Sequence, residues 1–404
     1  MFSLDKFYNI LHNNLIAPIP TSQSFYFYPF GTYTHQIVIN SNYDAIFQDW
    51  FWYRQKSFIN CYFVDQEPHY NFTHTILNRM TNMLSHLTDI NHIKILANSE
   101  KSNFKDNFLK EKNYHDWYYF FHGFAALDWY RDFQYLTPDS FNRFNKVFIC
   151  YNHLISKYRS YRLHLVSNLI AQDLVKHGSV SLFLKDEHGT WEDTINDKEL
   201  PLDNRAKIKI YQTLKHVTDP LVIDTDTPTG SMSATVDINQ LTSALFHVVT
   251  ETVYFLPKLH LTEKIFKPIV SKRPFILVAA PGNLAYLKSY GFRTFDQWID
   301  ESYDLEPDHY IRIEKITAEI ARLCAMDQSA LEQMHLEMQE VLEFNFNHFY
   351  GNFKGIIVDE LVDNFEHILC QINNSRQPGN HSRYHQRIEI STEYLEEVKK
   401  RLKQ

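Results

Sequence analysis

Glycine is scarce in this chain, ten in 404 residues. Neither G-x-G-x-x-G nor a P-loop pattern occurs, which argues against dinucleotide oxidoreductases and P-loop NTPases, whose phosphates rest on glycine-rich loops. Cysteine is rarer still. Cys61, Cys150, Cys324 and Cys370 lie far apart and form no C-x-x-C, the pattern of buried thiols in a reducing compartment rather than of a disulfide frame or a zinc site. The 21 histidines make no H-E-x-x-H and no zinc spacing. Long apolar runs are missing too: the most apolar interior stretch, 275–280, is far short of the ~18 residues a membrane span needs. The opening MFSLDKFYNILHNN interrupts with Asp5, His12 and asparagines where a signal peptide needs a clean apolar core. A cytoplasmic protein without a membrane span is expected. Nor is there a block of like charge. Lys and Arg number 40 against 48 Asp and Glu, a net charge of −8, which disfavours a phosphate-backbone partner. Sequons at Asn71 and Asn373 read as chance matches in an Asn-rich chain.

What is present is a globular balance, 44% hydrophobic and 22% charged, with an aromatic surplus of 31 Phe, 25 Tyr and 6 Trp. At roughly 150 residues per domain the length implies two or three domains. Short aromatic strands are expected at 24–28 and 62–64, and an amphipathic helix at 73–87. Turn chemistry at Thr137-Pro138-Asp139-Ser140 marks a boundary. Beyond it, strand and helix alternate: a strand over Lys146–Cys150, a helix over 163–175 stopped by Gly178, strands at 221–223 and 274–280, then a Pro281-Gly282 turn with Asn283 as cap and Gly291 as terminator. The last strand is apolar on both faces, as a buried parallel strand is. Alternation of this kind predicts an open parallel α/β sheet. After 308 the chain turns helical, with Ile313, Ile316, Ile320 and Leu323 on one face and a Met334, Met338, Leu342 stripe that reads as core packing. The tail beyond 376 ends in an amphipathic helix bearing Tyr394, Leu395, Val398 and Leu402, suited to docking on the body or on a partner. The expected division is 1–145 as an N-terminal acceptor-side α/β domain, 146–370 as a C-terminal α/β domain and 371–404 as a tail.

The most informative stretch is His260-Leu261-Thr262-Glu263-Lys264-Ile265-Phe266-Lys267-Pro268. Thr262 is a good N-cap, and the unpaired N–H groups of the helix start behind it attract anions. Lys264 and Lys267 would add charge against a diphosphate and Glu263 would accept from ribose hydroxyls; the plain alternative is a capped helix with solvated lysines. This T-E-K motif, followed by a buried strand and a Pro-Gly turn, resembles the donor-binding motif of α-1,3-fucosyltransferases and related viral and bacterial glycosyltransferases. The wider segment 260–296, with Asp300-Glu301-Ser302-Tyr303-Asp304 after it, is similar to a fucosyltransferase-like C-terminal domain common in phage and cyanobacterial proteins. The resemblance covers about 146–355 and implies a GT-B architecture: two Rossmann-like domains with parallel sheets facing a cleft, and a helical C-terminal segment. It further implies a GDP-sugar or other nucleotide diphosphate-sugar as donor, with no cofactor and no metal required.

Three more segments are assigned by that resemblance. The loop from Asn152 to Arg162 follows a strand, as the family's arginine-bearing loop does, and puts Arg162, and with it Arg159, against the leaving diphosphate; Tyr161 stands where the family pattern often has His. Glu251, twelve residues before Glu263, matches the wall of the donor site or else caps a local turn. Glu67, in Asp65-Gln66-Glu67-Pro68-His69, matches the general base, with Asp65 and His69 as rivals and a strand-end turn as the plain alternative. His122, within a dense aromatic run, is an acceptor-side candidate or a hydrogen-bonded core histidine. The acceptor expected is a glycan or lipid-linked saccharide, with a modified DNA base as another option. Two rival classes stand beside this reading. Asp224-Thr225-Asp226 is a D-x-D, the manganese clamp of GT-A-like enzymes, and the aromatic surplus alone also suits a non-catalytic carbohydrate-binding protein.

Overall fold

The computed structural model describes residues 3–19, 22–27, 36–37, 59–64, 93–135, 144–186, 188–223, 237–374 and 388–404. The chain divides into two compact units, one made of Met1–Asp128 with Lys354–Gln404 and the other of Trp129–Phe353. Both are α/β with parallel sheets. The expected helix at 73–87 and the turn at 137–140 lie outside the described residues, as does the start of the tail.

The first unit carries β1 (Ser22–Phe27), β2 (Gln36–Ile37), β3 (Ile59–Val64), β4 (Ile93–Asn98) and β5 (His115–Tyr118), all parallel in the order β2-β1-β3-β4-β5. β4 is buried from Ile95 onward, as a strand covered on both faces must be. The helix Asn103–Lys112 crosses from β4 to β5. It starts because Ser102 accepts from the Lys105 N–H and stops because Asn113 turns left-handed at φ 56°. The helix Lys354–Asn374 belongs to this unit. The Trp117 indole of β5 donates to the Leu361 carbonyl at 3.0 Å and its ring lies 4.6 Å from that of Phe365. The final helix, Thr392–Lys403, docks on its own unit: Leu395, Val398 and Leu402 are buried, and Tyr394 Oη donates to the Asn14 carbonyl at 2.9 Å.

The second unit holds β6 (Lys146–Cys150), β7 (Gly178–Val180), the two-stranded ribbon β8 (Lys185–Asp186) and β9 (Gly189–Thr190), then β10 (Ala244–Thr250) and β11 (Phe275–Val278). β6, β7, β10 and β11 form a parallel sheet in the order β11-β10-β6-β7. The strand expected at 221–223 is only an isolated bridge from Leu221 to Leu182. The helix after β6 runs Tyr161–Ala171, shorter than expected, because Asp173 adopts φ 58° and a 3-10 turn follows. Gly178 therefore ends that 3-10 turn, not the α-helix, and opens β7. Its lack of a side chain matters, since a Cβ there would stand 2.5 Å from the Phe148 ring. Gly291, at φ 89°, does end the helix Asn283–Ser289. Asn283 is not that helix's cap; Gly282 holds the position and the Asp304 carboxylate accepts from Leu284 N at 3.2 Å.

Ile313, Ile316, Ile320 and Leu323 are buried along the helix His309–Cys324, and Met334, Met338 and Leu342 are buried beyond it, so the methionine stripe is core. All four cysteines are free; burial pushes the Cys61 thiol up to about 12 and the Cys150 thiol up to about 11. Among the described residues no helix is long and apolar enough to cross a membrane.

Candidate functional site

In the second sheet β6 connects to β7 on one side and β10 to β11 on the other, so the adjacent pair β6 and β10 marks the point where the strand order reverses. In open parallel sheets ligands bind outside the carboxyl ends of the strands at such a point. The loops leaving those two ends, 151–160 and 251–262, carry Asn152, Arg159, Glu251 and Thr262, and the elements that follow them carry Arg162, Glu263, Lys264 and Lys267.

The loop after β10 is organised by Glu251, which is fully buried. Its carboxylate accepts from the Thr262 N–H at 3.1 Å, from the Thr262 hydroxyl at 2.5 Å and from the Thr252 N–H at 3.3 Å. Of the two roles open to Glu251 in the sequence, the contacts seen are the local capping ones. Thr262 is the N-cap, as expected, but of a 3-10 turn, Glu263–Ile265, that leads into the short helix Phe266–Val270. The turn is buried at Thr262 and Glu263 and is met at its cap by a carboxylate of this chain. The expectation of an α-helix presenting an unmet positive end at 262–264 is corrected accordingly. Lys264 remains half-exposed, with Nζ at 3.0 Å from Thr262 Oγ1, 3.3 Å from Thr252 Oγ1 and 3.3 Å from Glu263 Oε1. Lys267 Nζ lies 5.7 Å from the Tyr151 ring centroid.

The loop after β6 is built differently. Asn152 is buried, donating from its backbone to Ser181 Oγ at 2.8 Å and from Nδ2 to the Ser181 carbonyl at 3.1 Å, while its Oδ1 finds no partner. A 3-10 turn, Lys157–Arg159, brings a half-buried Arg159 up to Ser160, the N-cap of the eleven-residue helix Tyr161–Ala171. The Ser160 hydroxyl is buried and makes no capping bond. Arg162 is 4% exposed; Nη1 donates to the Leu154 carbonyl and Nη2 to the Thr250 carbonyl, both at 3.0 Å, and Nε has no partner. The guanidinium thus ties the two loops together without meeting a carboxylate among the described residues. A cation in the first turn of a helix opposes the helix dipole, a cost of about 0.3–1 kcal/mol at exposed sites, and that turn holds no acidic residue. The reversal point therefore holds a buried guanidinium with no ion pair of its own among the described residues, and the buried Glu251 carboxylate on the neighbouring loop.

Residues that sequence reasoning missed hold this arrangement in place. Tyr161 donates its hydroxyl to the Glu251 carbonyl and stacks on Tyr254 with ring centroids 4.2 Å apart. Asp186 Oδ2 accepts from the N–H groups of Ile155 and Ser156, both at 2.9 Å. Burial opposes its charge, but those donors and the His188 N–H outweigh it and hold the Asp186 carboxyl below the usual range. No local signal announces either residue, because both reach partners distant in the chain. His122 is buried in the helix Phe121–Trp129 of the first unit, edge-on to Phe121 at 5.1 Å. Glu67 follows Val64, the last residue of β3, but it, Asp65, His69, Asp224 and Asp226 lie outside the described residues. Among the described residues no group of three His, Cys, Asp or Glu side chains is gathered as a metal site.

No family model matches the chain, and no curated protein matches it. Among solved structures it aligns with a glycosyltransferase from Rickettsia africae ESF-5 at 12% sequence identity, covering 80% of this chain and 85% of that one, with a TM-score of 0.35, a likeness too slight to carry weight for the site.

Proposed function

We propose that the chain is a GT-B-type glycosyltransferase, moving a sugar such as fucose from a nucleotide diphosphate donor, GDP-sugar by preference, to a hydroxyl of a glycan or lipid-linked saccharide. The observation that carries this reading is the buried Arg162 guanidinium. It stands at the positive end of an eleven-residue helix, with no acidic partner among the described residues, at the strand-order reversal where parallel sheets bind ligands. A diphosphate accepts from the guanidinium N–H groups that the Leu154 and Thr250 carbonyls leave over, and its charge answers the helix dipole.

In this reading Arg162, Lys264 and the N-terminus of the helix Tyr161–Ala171 stabilise charge on the departing diphosphate, preorganised before the bond breaks. Arg159 and Lys267 add to the potential around it. Glu263 takes the ribose hydroxyls, while Glu251, Thr262 and Asn152 hold the loops on which the donor rests. Glu67 removes the proton of the attacking hydroxyl, which adds to the anomeric carbon opposite the leaving diphosphate, so configuration inverts. The cationic side chains do the work a divalent ion does in D-x-D enzymes, so no metal is required.

Melting the protein against a panel of nucleosides, nucleoside monophosphates and nucleoside diphosphates tests the reading. A ligand at 100 times its Kd stabilises by about 2.7 kcal/mol. One base in its diphosphate form is expected to raise the melting temperature most, in the presence of EDTA as well as without it; a flat panel refutes the proposal.

A further inference from the structure

At the β11 edge of the second sheet, the segment 291–299 packs at the start of that strand, where Phe295 meets Phe275 with ring centroids 5.2 Å apart. Between this segment and the helices Gln328–Glu337 and Gln339–His348 lies a cavity of about 460 Å³, within the size range of small-molecule sites. Its lining mixes the half-buried indole of Trp298 with the polar side chains of Thr294, Asp296, Gln297, Glu337 and Glu340.

The walls are fixed in place. Trp298 Nε1 donates to Glu337 Oε2 at 3.1 Å, the other oxygen of Glu337 accepts from Gln333 at 3.0 Å, and Arg322 holds the Trp298 carbonyl at 2.7 Å. Asn345 bonds the backbone of Arg293 twice, accepting at 2.8 Å and donating at 2.9 Å. Glu301 accepts from Thr294 Oγ1 and from Phe295 N, both at 2.8 Å. A cavity braced in this way binds without a large ordering cost.

Its chemistry selects the ligand class. Both lining cations are matched, Lys288 by Asp296 at 3.2 Å and Arg293 by Glu340 at 3.0 Å, so no spare charge awaits a phosphate. What the lining offers is an indole, an amide, a hydroxyl and carboxylates whose second lone pairs accept further donors. A pyranose ring complements that set, with an apolar C–H face for the indole and a rim of hydroxyls that both donate and accept.

We propose that this cavity is a second binding site, for a neutral saccharide chain, apart from the nucleotide site and independent of the transferase reading. Where that reading also holds, the site tethers a glycan acceptor and raises its effective concentration.

The test is calorimetric titration of the full chain with maltohexaose, chitohexaose and laminarihexaose as probes. At least one is expected to bind saturably, and Trp298→Ala to weaken it by about tenfold or more, about 1.4 kcal/mol. Gln297→Ala, an exposed rim change that does not threaten folding, is expected to weaken it several-fold. The response to nucleoside diphosphates stays unchanged in both variants, which separates failure here from failure of the transferase reading. The proposal is overturned if none of the probes binds the wild-type protein, or if both variants bind as the wild type does.

Discussion

The Glu251 carboxylate accepts both the N–H and the hydroxyl of Thr262, eleven residues further on, and so closes the loop that carries Glu263 and Lys264. Glu251→Ala leaves two backbone N–H groups and a hydroxyl without their buried acceptor. Each such group costs about 1–3 kcal/mol, and relaxation of the loop recovers part of that, so a loss of about 3 kcal/mol is expected in urea unfolding. Glu251→Gln, which keeps an acceptor oxygen, is expected to lose about half as much.

Gly178→Ala is expected to destabilise by about 2 kcal/mol, within the range for overpacked cores. The new methyl would stand 2.5 Å from the buried Phe148 ring, and backbone strain plays no part because φ there is −123°. Phe148→Leu in the same chain makes room, so a double-mutant cycle should show favourable coupling between the two changes.

Acid is expected to destabilise the protein from about pH 6.5 downward. Burial holds the His247 ring, which donates to the Leu241 carbonyl, neutral down to about 3, and burial beside Arg273 holds His335 neutral down to about 4, against 6.5 for a free imidazole. Both folded values are depressed, so as pH falls below 6.5 the unfolded chain takes up protons that the folded chain refuses. Stability therefore falls as pH drops, by up to about 1.4 kcal/mol per pH unit for each histidine. The decline due to His335 ends near 4 and that due to His247 near 3. Unfolding free energy measured across this range should show the slope, to which burial of His115, His164 and His309 adds, and His247→Gln should remove up to about 1.4 kcal/mol per pH unit of it above pH 4.

Much of the second unit is legible in the sequence, because its signals are local. Lys146–Cys150 and the apolar run ending at 280 sit where strands are expected, Gly291 ends its helix, and the isoleucine and methionine stripes are core. The failures share a cause. Asp304 caps the helix Asn283–Ser289 from twenty residues away, Asp186 holds the loop of Ile155 from thirty-one away, and Trp117 receives the helix Lys354–Asn374 across 244 residues. Nothing in a window of neighbouring residues encodes those meetings. The helix start at 262–264 misleads for the same reason, since the anion that meets it, Glu251, arrives from the end of another strand.

Arg162→Lys keeps a cation but loses the fork that spans the Leu154 and Thr250 carbonyls, so a modest stability cost of about 1 kcal/mol is expected. Its larger effect should fall on the ligand. Affinity for the preferred nucleoside diphosphate is expected to drop about 100-fold, equivalent to about 2.7 kcal/mol, the scale of a lost charge-assisted pair. Lys264→Ala, at a half-exposed position, should cost less, about tenfold.

The most direct measurement is calorimetric titration of wild type and Arg162→Lys with a nucleoside and with its diphosphate. If the diphosphate rests on the first turn of the helix Tyr161–Ala171, the wild type binds the diphosphate at least about 100-fold more tightly than the nucleoside, and Arg162→Lys erases most of that difference while leaving nucleoside binding alone. Equal affinity for the two ligands in the wild type, or a difference that survives Arg162→Lys intact, contradicts the account.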